Sequence, residues 1–314
     1  MLFISMFILL GSPTIYFDVM VPAAVDLPSD IKLVAVIDRS QSDNNVVNVL
    51  EKGLLSTLSG KGDRLSKHCI DGVAGQLSKN QDISTVITGI VEKRPGTALD
   101  FPKPLIWEEV QRICNEYKTD AVMSLEIFSR QVIDNVAEVK VGFRIYDPKN
   151  KMILDEFQYF HGIKAGVVPS EGQPEAIVSN LINSDDALIN ASFVAGTIYG
   201  KRISPFWIRV NRKYYKRSKR DPQMAEGARM MEVNNWDAAE QAFLQAIENG
   251  HRKTKGKALH NLAIVYEING NLDQAFACAQ DAWGKYGNKA SREYSGILQY
   301  RINEVNLLRN QQEN

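Results

Sequence analysis

Asp38-Arg39-Ser40-Gln41-Ser42 follows a run, Ile31 to Ile37, that is apolar apart from Lys32, and sets a carboxylate and two hydroxyls at alternate positions. Hard oxygen donors of this kind suit Mg²⁺. The carboxyl end of a strand is also where open α/β sheets place ligands. Asp38, Ser40 and Ser42 are therefore the candidate metal ligands, for a metal-dependent ligand-binding or hydrolytic domain. A complete set needs a further Thr and Asp from later strand ends. Asp120 instead precedes its strand, and Thr97 lies in a Pro/Gly loop. The competing reading is a polar strand-to-helix turn over Asp38 to Asp43, with Ser42 or Asp43 capping the next helix.

The second chemical feature is electrostatic. Between Lys201 and Arg220 basic residues stand at 201, 202, 209, 212, 213, 216, 217, 219 and 220, with no acid among them. The whole chain is neutral, with 37 basic and 37 acidic residues, so charge is polarised along it. Arg209, Arg212, Lys213, Lys216 and Arg217, interleaved with Trp207, Tyr214 and Tyr215, are the candidate anion contacts. They would face phospholipid headgroups or an acidic protein. The alternative is a solvated strand edge whose arginines pair with neighbouring acids. Nucleic acid is not expected as a partner of an exported chain.

Enzyme signatures are missing. The sequence has no G-x-S-x-G, Walker loop, H-E-x-x-H or C-x-x-C. Cys69, Cys114 and Cys278 lack metal-site or redox spacing, and Cys114 and Cys278 read as buried thiols. No cofactor is implied, and a non-enzyme is expected. Met1 to Gly11 is almost wholly apolar, too short to span a bilayer but the length of a signal-peptide core. Leu9-Leu10-Gly11-Ser12 resembles a lipoprotein box with Ser in place of the acylated Cys. Export to the cell envelope is expected, and lipid attachment at Ser12 is not, for want of a thiol.

The elements that would position these groups follow from periodicity. Ile31 to Ile37 reads as a strand buried on both faces. Asn44 to Leu58 and Asp63 to Leu77 read as helices, Ile83 to Val91 as a strand and Leu105 to Tyr117 as a helix. Ala121 to Phe128 is a strand, and Val136 to Tyr146 with Lys151 to Phe160 forms a hairpin about Asp147-Pro148-Lys149-Asn150. A helix follows from Pro174 to about Lys201, then a last strand, Phe206 to Lys213. This order predicts a mixed-sheet α/β sandwich over 15–220, behind the signal-like segment 1–14, and an all-α domain over 221–314.

That second domain carries a repeat. Leu259, Leu262, Ala263 and Tyr266 fall on tetratricopeptide (TPR) spacing, with Gly270 at the turn and Ala275, Ala279 and Ala282 on the next helix. Gly227, Met230, Ala239, Phe243 and Ala246 repeat the pattern 36 residues upstream. A helix from about Lys289 to Leu308 would cap the pair, with Tyr294, Ile297, Leu298, Ile302, Val305 and Leu308 along one side. Such hairpins bind proteins or peptides in a groove lined by their first helices. The lining residues would be Ala228, Met231, Lys257, His260, Asn261, Ile264 and Glu267. Asn261 and Lys257 would be the polar anchors for a peptide backbone or carboxylate.

From end to end the sequence resembles an uncharacterised family of Bacteroidota-type envelope lipoproteins. The residues carrying the likeness are Val21-Pro22-Ala23, Leu27-Pro28, Val34 to Ser40, Trp107-Glu108-Glu109-Val110, Asp120 to Glu126 and Ile203-Ser204-Pro205. Arg212-Lys213-Tyr214-Tyr215, Asn261-Leu262-Ala263 and Tyr266-Glu267 complete them. The resemblance implies an N-terminal domain similar to those of periplasmic assembly lipoproteins, and no reaction. The function expected is a non-enzymatic envelope module that docks a protein or peptide, with association to a membrane surface through the basic strand.

Overall fold

The computed structural model of the chain describes residues 13–42, 62–80, 83–94, 100–134, 136–164, 184–218 and 221–313. The signal-like segment with Ser12, the helix expected over 44–58, Thr97 and the first part of the helix expected from Pro174 lie outside them. The chain divides into two compact units, Pro22–Phe206 with Asn310–Asn314, and Met1–Val21 with Trp207–Arg309.

The first unit is built on a five-stranded mixed sheet. Its strands are β2 (Leu33–Ser42), β3 (Ser84–Arg94), β4 (Ala121–Ile133), β5 (Val136–Asp147) and β6 (Met152–Lys164), in spatial order β3-β2-β4-β5-β6. β2 runs parallel to both neighbours, pairing Val36 with Ile87 and with Met123. β4, β5 and β6 form an antiparallel meander, with Phe143 opposite Phe157. Period-two alternation sorts the β2 side chains. Val34 and Val36 join one core with α1 (Gly62–Leu77) and α3 (Ser184–Ile203), while Ala35 and Ile37 join another with α2 (Trp107–Tyr117). Both faces of β2 are covered there, which is why Leu33 to Ile37 is continuously apolar.

α1 and α3 meet through glycines. A Cβ on Gly196 would stand 1.8 Å from the Cys69 carbonyl oxygen, and one on Gly72 2.1 Å from that of Phe193. Both obstacles are backbone. Gly196→Ala must therefore push the helices apart, and urea denaturation should show a loss of about 3 kcal/mol or more, at the upper end for overpacking. Burial raises the Cys69 thiol at this crossing. Cys114 is buried as well, and Cys278 only partly.

Three expectations need correction. Asp38 to Ser42 is not a turn: β2 continues to Ser42, with Gln41 paired to Lys93 of β3. The Phe206–Lys213 strand, β7, does not close the mixed sheet. It pairs with β1 (Thr14–Val21) in a separate two-stranded ribbon, which from Trp207 on belongs to the helical unit. The boundaries 15 and 220 accordingly move to about 22 and 206. Alternation of polar and apolar residues marks a strand but not which sheet it joins.

In the second unit the ribbon accompanies five helices, α4 (Pro222–Glu232), α5 (Trp236–Asn249), α6 (Arg252–Ile268), α7 (Leu272–Gly284) and α8 (Lys289–Glu313). Asp221 caps α4 by accepting from the Met224 N–H at 2.9 Å, with Pro222 at the first helical position. Asn235 caps α5 in the same way at 3.2 Å. Gly270 turns between α6 and α7 at φ +79. The two copies of the repeat are both helix–turn–helix, and all their small positions are buried. Their volumes compensate: where the second copy sets Ala263 with Ala279, the first sets Gly227 against Phe243. A Cβ at Gly227 would lie 2.5 Å from that ring. In α8 Tyr294, Leu298 and Leu308 are buried as expected, whereas Ile297 points to solvent.

Candidate functional site

The seven residues expected to line an open groove do lie together in the helical unit, but the face is filled. Ala228, Met231 and Ile264 belong to the hydrophobic core. Asn261, fully buried, holds the chain's own backbone. Its Oδ1 accepts from the Tyr215 N–H at 2.9 Å and its Nδ2 donates to the Tyr215 carbonyl at 2.8 Å. Lys257 donates to the Arg217 carbonyl at 3.3 Å and its ammonium sits 5.0 Å from the Tyr215 ring centre. Ser218 and Thr254 share a hydroxyl–hydroxyl bond of 3.0 Å. Residues 213–218 therefore lie along α6 in the place assigned to a peptide ligand. An extended segment entering straight from β7 is already close to α6, so it covers that face at little extra loop cost.

Glu267 and His260 complete the arrangement. The Glu267 carboxylate takes two parallel bonds from Arg212, at 2.8 and 2.7 Å, and a third from the Tyr294 hydroxyl at 2.6 Å. Burial, followed by the Glu267 charge, keeps the Tyr294 phenol well above its usual value, so it stays a donor. His260 Nε2 lies 3.0 Å from the Lys213 carbonyl and Nδ1 2.9 Å from the Ser291 hydroxyl. A carbonyl only accepts, so Nε2 carries the proton and Ser291 donates to Nδ1.

Burial lowers His260 below the ordinary imidazole value of 6.5, and its backbone bond only partly opposes this. An unfolded chain thus binds more protons at this site as pH falls past 6.5, and the stability of neutral His260 is lost on going through the lower folded value. Thermal unfolding should show the helical unit weakening between about pH 7 and pH 5, with a flatter profile in His260→Gln.

Of the anion-contact candidates, two are neutralised. Arg212 is committed to Glu267 with its side chain 10% exposed, and Lys216 reaches Glu232 at 2.6 Å. Arg209, Lys213 and Arg217 are exposed.

In the sheet unit the residues after the apolar run do something the spacing alone does not suggest. Asp38 Oδ1 accepts from both the backbone N–H and the hydroxyl of Ser40, at 2.9 and 2.6 Å, and both residues are buried. The Ser42 side chain lies outside the described residues. Among the described residues no three His, Cys, Asp or Glu side chains converge as metal ligands.

Arg39, between them, enters a row of alternating charge that crosses all five strands: Glu92, Arg39, Glu126, Arg144, Glu156. Arg39 bonds Glu92 at 3.1 Å and both Glu126 oxygens at 2.9 and 3.0 Å. Arg144 lies 3.8 Å from Glu126 and bonds Glu156 at 2.6 Å. The Tyr146 hydroxyl donates to Glu126 at 2.8 Å and accepts from the Leu105 N–H at 3.3 Å. Burial, the largest influence, raises Glu126 against the pull of Arg39, and Tyr146 is pushed up to about 12. Arg144 also donates to the Pro102 carbonyl at 2.7 Å and stacks 4.6 Å from the Phe101 ring, which ties the 101–105 segment down. Sequence reasoning missed Glu126 and Arg144. The available signal was a charge at an inward position of an otherwise apolar strand, which is rarely buried without a partner.

With the geometry described, two family descriptions match. One, a domain of unknown function (DUF8603), covers residues 31–215, more than half of the chain. The chain belongs to the DUF8603 family. The other, a domain of unknown function (DUF6340), covers residues 225–305. The DUF8603 match thus takes in the whole charge row and ends at Tyr215, the residue whose backbone Asn261 holds. No curated protein is significantly similar in sequence.

Solved structures with partial likeness include a PelC dodecamer from Paraburkholderia phytofirmans, with 9% identity, 60% of this chain and 98% of that chain covered, and a TM-score of 0.29. Lipoprotein GNA1162 from Neisseria meningitidis has 16% identity over 44% of this chain and 88% of that one, with a TM-score of 0.23. The hypothetical protein CT253 from Chlamydia trachomatis has 10% identity over 54% and 96%, with a TM-score of 0.28. Likeness at this level says nothing about what the present chain binds. Among the described residues no helix is long and apolar enough to cross a membrane.

Proposed function

We propose that the chain is a non-enzymatic protein-binding and assembly module of the cell envelope. In this reading its TPR-like hairpins act as a rigid frame and not as an open groove. The observation behind this rigid frame is the pair of bonds between Asn261 and the Tyr215 backbone. It is the polar contact with which a helical groove takes an extended peptide, and here it is satisfied within the chain. A partner must then use surfaces left outside.

Two hairpins are fewer than the three or so units that stabilise an isolated array. The outer side of α8, where a further helix would stack, exposes Ile297, Tyr300 and Leu307. A helical element of a partner protein completing the array there accounts for these side chains. The lipoprotein-box-like start of the sequence supports the envelope setting.

Photo-crosslinking in cells tests the reading. A benzophenone side chain at Tyr300 should give a discrete protein adduct, and one at Met231, inside the filled face, should give none. Adducts from Met231 with none from Tyr300 would restore the open groove.

A further inference from the structure

The ribbon and the start of α6 together form a second surface, independent of α8. β7 exposes Trp207, Arg209, Asn211 and Lys213, with Trp207 62% exposed, and the adjacent β1 exposes Tyr16 at 57%. The Arg209 guanidinium lies 5.8 Å from the Tyr16 ring centre. The chain then runs past Arg217, whose carbonyl takes the Lys257 ammonium, and past Ser218, bonded to Thr254. Those contacts bring the segment that follows β7 against α6 near its basic start. There His251, Arg252 and Lys253, with Tyr286 and Gly287, line an open hollow of about 710 Å³.

This surface is predominantly basic, although β1 also exposes Asp18, two residues on from Tyr16 and so on the same side of that strand. The first turn of α6 contains no acid. Among the described residues, the ion pairs formed by 207–218 are those of Arg212 and Lys216, and Arg209, Lys213, Arg217 and Lys253 have none. Burial, and then the neighbouring charge of Lys253, pushes the Lys257 ammonium down. Leaving like charges crowded at a surface costs stability, and an anionic partner relieves that cost.

We infer that this surface binds an anionic phospholipid bilayer peripherally, with Trp207 and Tyr16 at the headgroup level and Arg209, Lys213, Arg217 and Lys253 against lipid phosphates. Two features favour a bilayer over an acidic polypeptide. The cations are spread along a strand, a connecting segment and a helix start, which fits many phosphates in one surface better than a single charged segment. Bare aromatic rings beside them are the side chains that settle at a membrane interface, with an apolar body and a polar tip.

The full chain is mixed with phosphatidylcholine vesicles with and without phosphatidylglycerol and sedimented. The expected result is preferential binding to the phosphatidylglycerol vesicles, weakened by salt. The Lys213→Gln/Arg217→Gln/Lys253→Gln variant, its fold checked by circular dichroism, should lose about fivefold in partition for each charge removed. Brominated lipid should quench part of the tryptophan fluorescence, and Trp207→Phe should remove that part. Because the apolar N-terminal stretch is common to all variants, the differences report on this surface alone. Equal binding to neutral vesicles, unchanged partition of the triple variant, or quenching that survives Trp207→Phe would overturn the proposal. So would binding to polyglutamate, or to inorganic phosphate alone, in place of vesicles.

Discussion

Glu126→Gln is expected to destabilise the sheet unit by about 3–5 kcal/mol, the range for breaking a buried ion pair by removing one partner. Glu126 has no exposed side-chain surface, while Arg39 and Arg144 are 11% and 5% exposed. With the carboxylate gone, two guanidiniums remain in a poorly solvated layer, and neither can turn to water without lifting the 101–105 segment. Glu156→Gln provides the internal comparison. That carboxylate is 44% exposed, so water replaces it and the cost should stay below about 1 kcal/mol. Urea titrations of both variants, followed by circular dichroism, measure the contrast. Similar losses for the two would mean that the centre of the row is wetter than the geometry states.

The second large effect is expected at Asn261. Asn261→Leu keeps the branching of the side chain but orphans the N–H and the carbonyl of Tyr215, each worth about 1–3 kcal/mol when buried. Because Tyr215 is only half-buried, water recovers part of this, and a loss of about 2–4 kcal/mol is expected. The change should appear as release of residues 213–218 before global unfolding, since the core contributed by Met224, Phe243, Leu262 and Ala279 is untouched. A protease that cuts after Lys or Arg should then cleave at Lys216 or Arg217 many times faster than in the parent chain.

Much of the fold was legible in the sequence because local rules decide it. The apolar run of β2 reports coverage on both faces, and the Asp147-Pro148-Lys149-Asn150 turn reports the β5–β6 hairpin. The 36-residue echo of small side chains reports two helical hairpins, even though Gly227 and Phe243 disguise the first copy by exchanging volume. What was not legible is set by distant pairing. Nothing within β7 says that its neighbour is β1, more than half the chain away. Nothing near Asn261 says that its two amide groups are satisfied by Tyr215.

The candidate site shows the same division. Lys257, Asn261 and Glu267 were singled out as lining a peptide groove, and in the structure they contact the chain's own backbone and Arg212. Whether a partner or the chain itself supplies that contact depends on where β7 emerges, a tertiary fact. The motif at Asp38, Ser40 and Ser42 was read for its oxygens, whereas Arg39 between them makes the longest-ranging contacts there.

Amide hydrogen exchange of residues 212–218 in the full chain reports whether the chain occupies its own helical face. Slow exchange is expected for the Tyr215 amide, bonded to Asn261 Oδ1, on the time scale of the middle of α6, and rapid exchange in Asn261→Leu. Exchange of Tyr215 in the parent chain as fast as in an exposed loop, unchanged by the substitution, would contradict it.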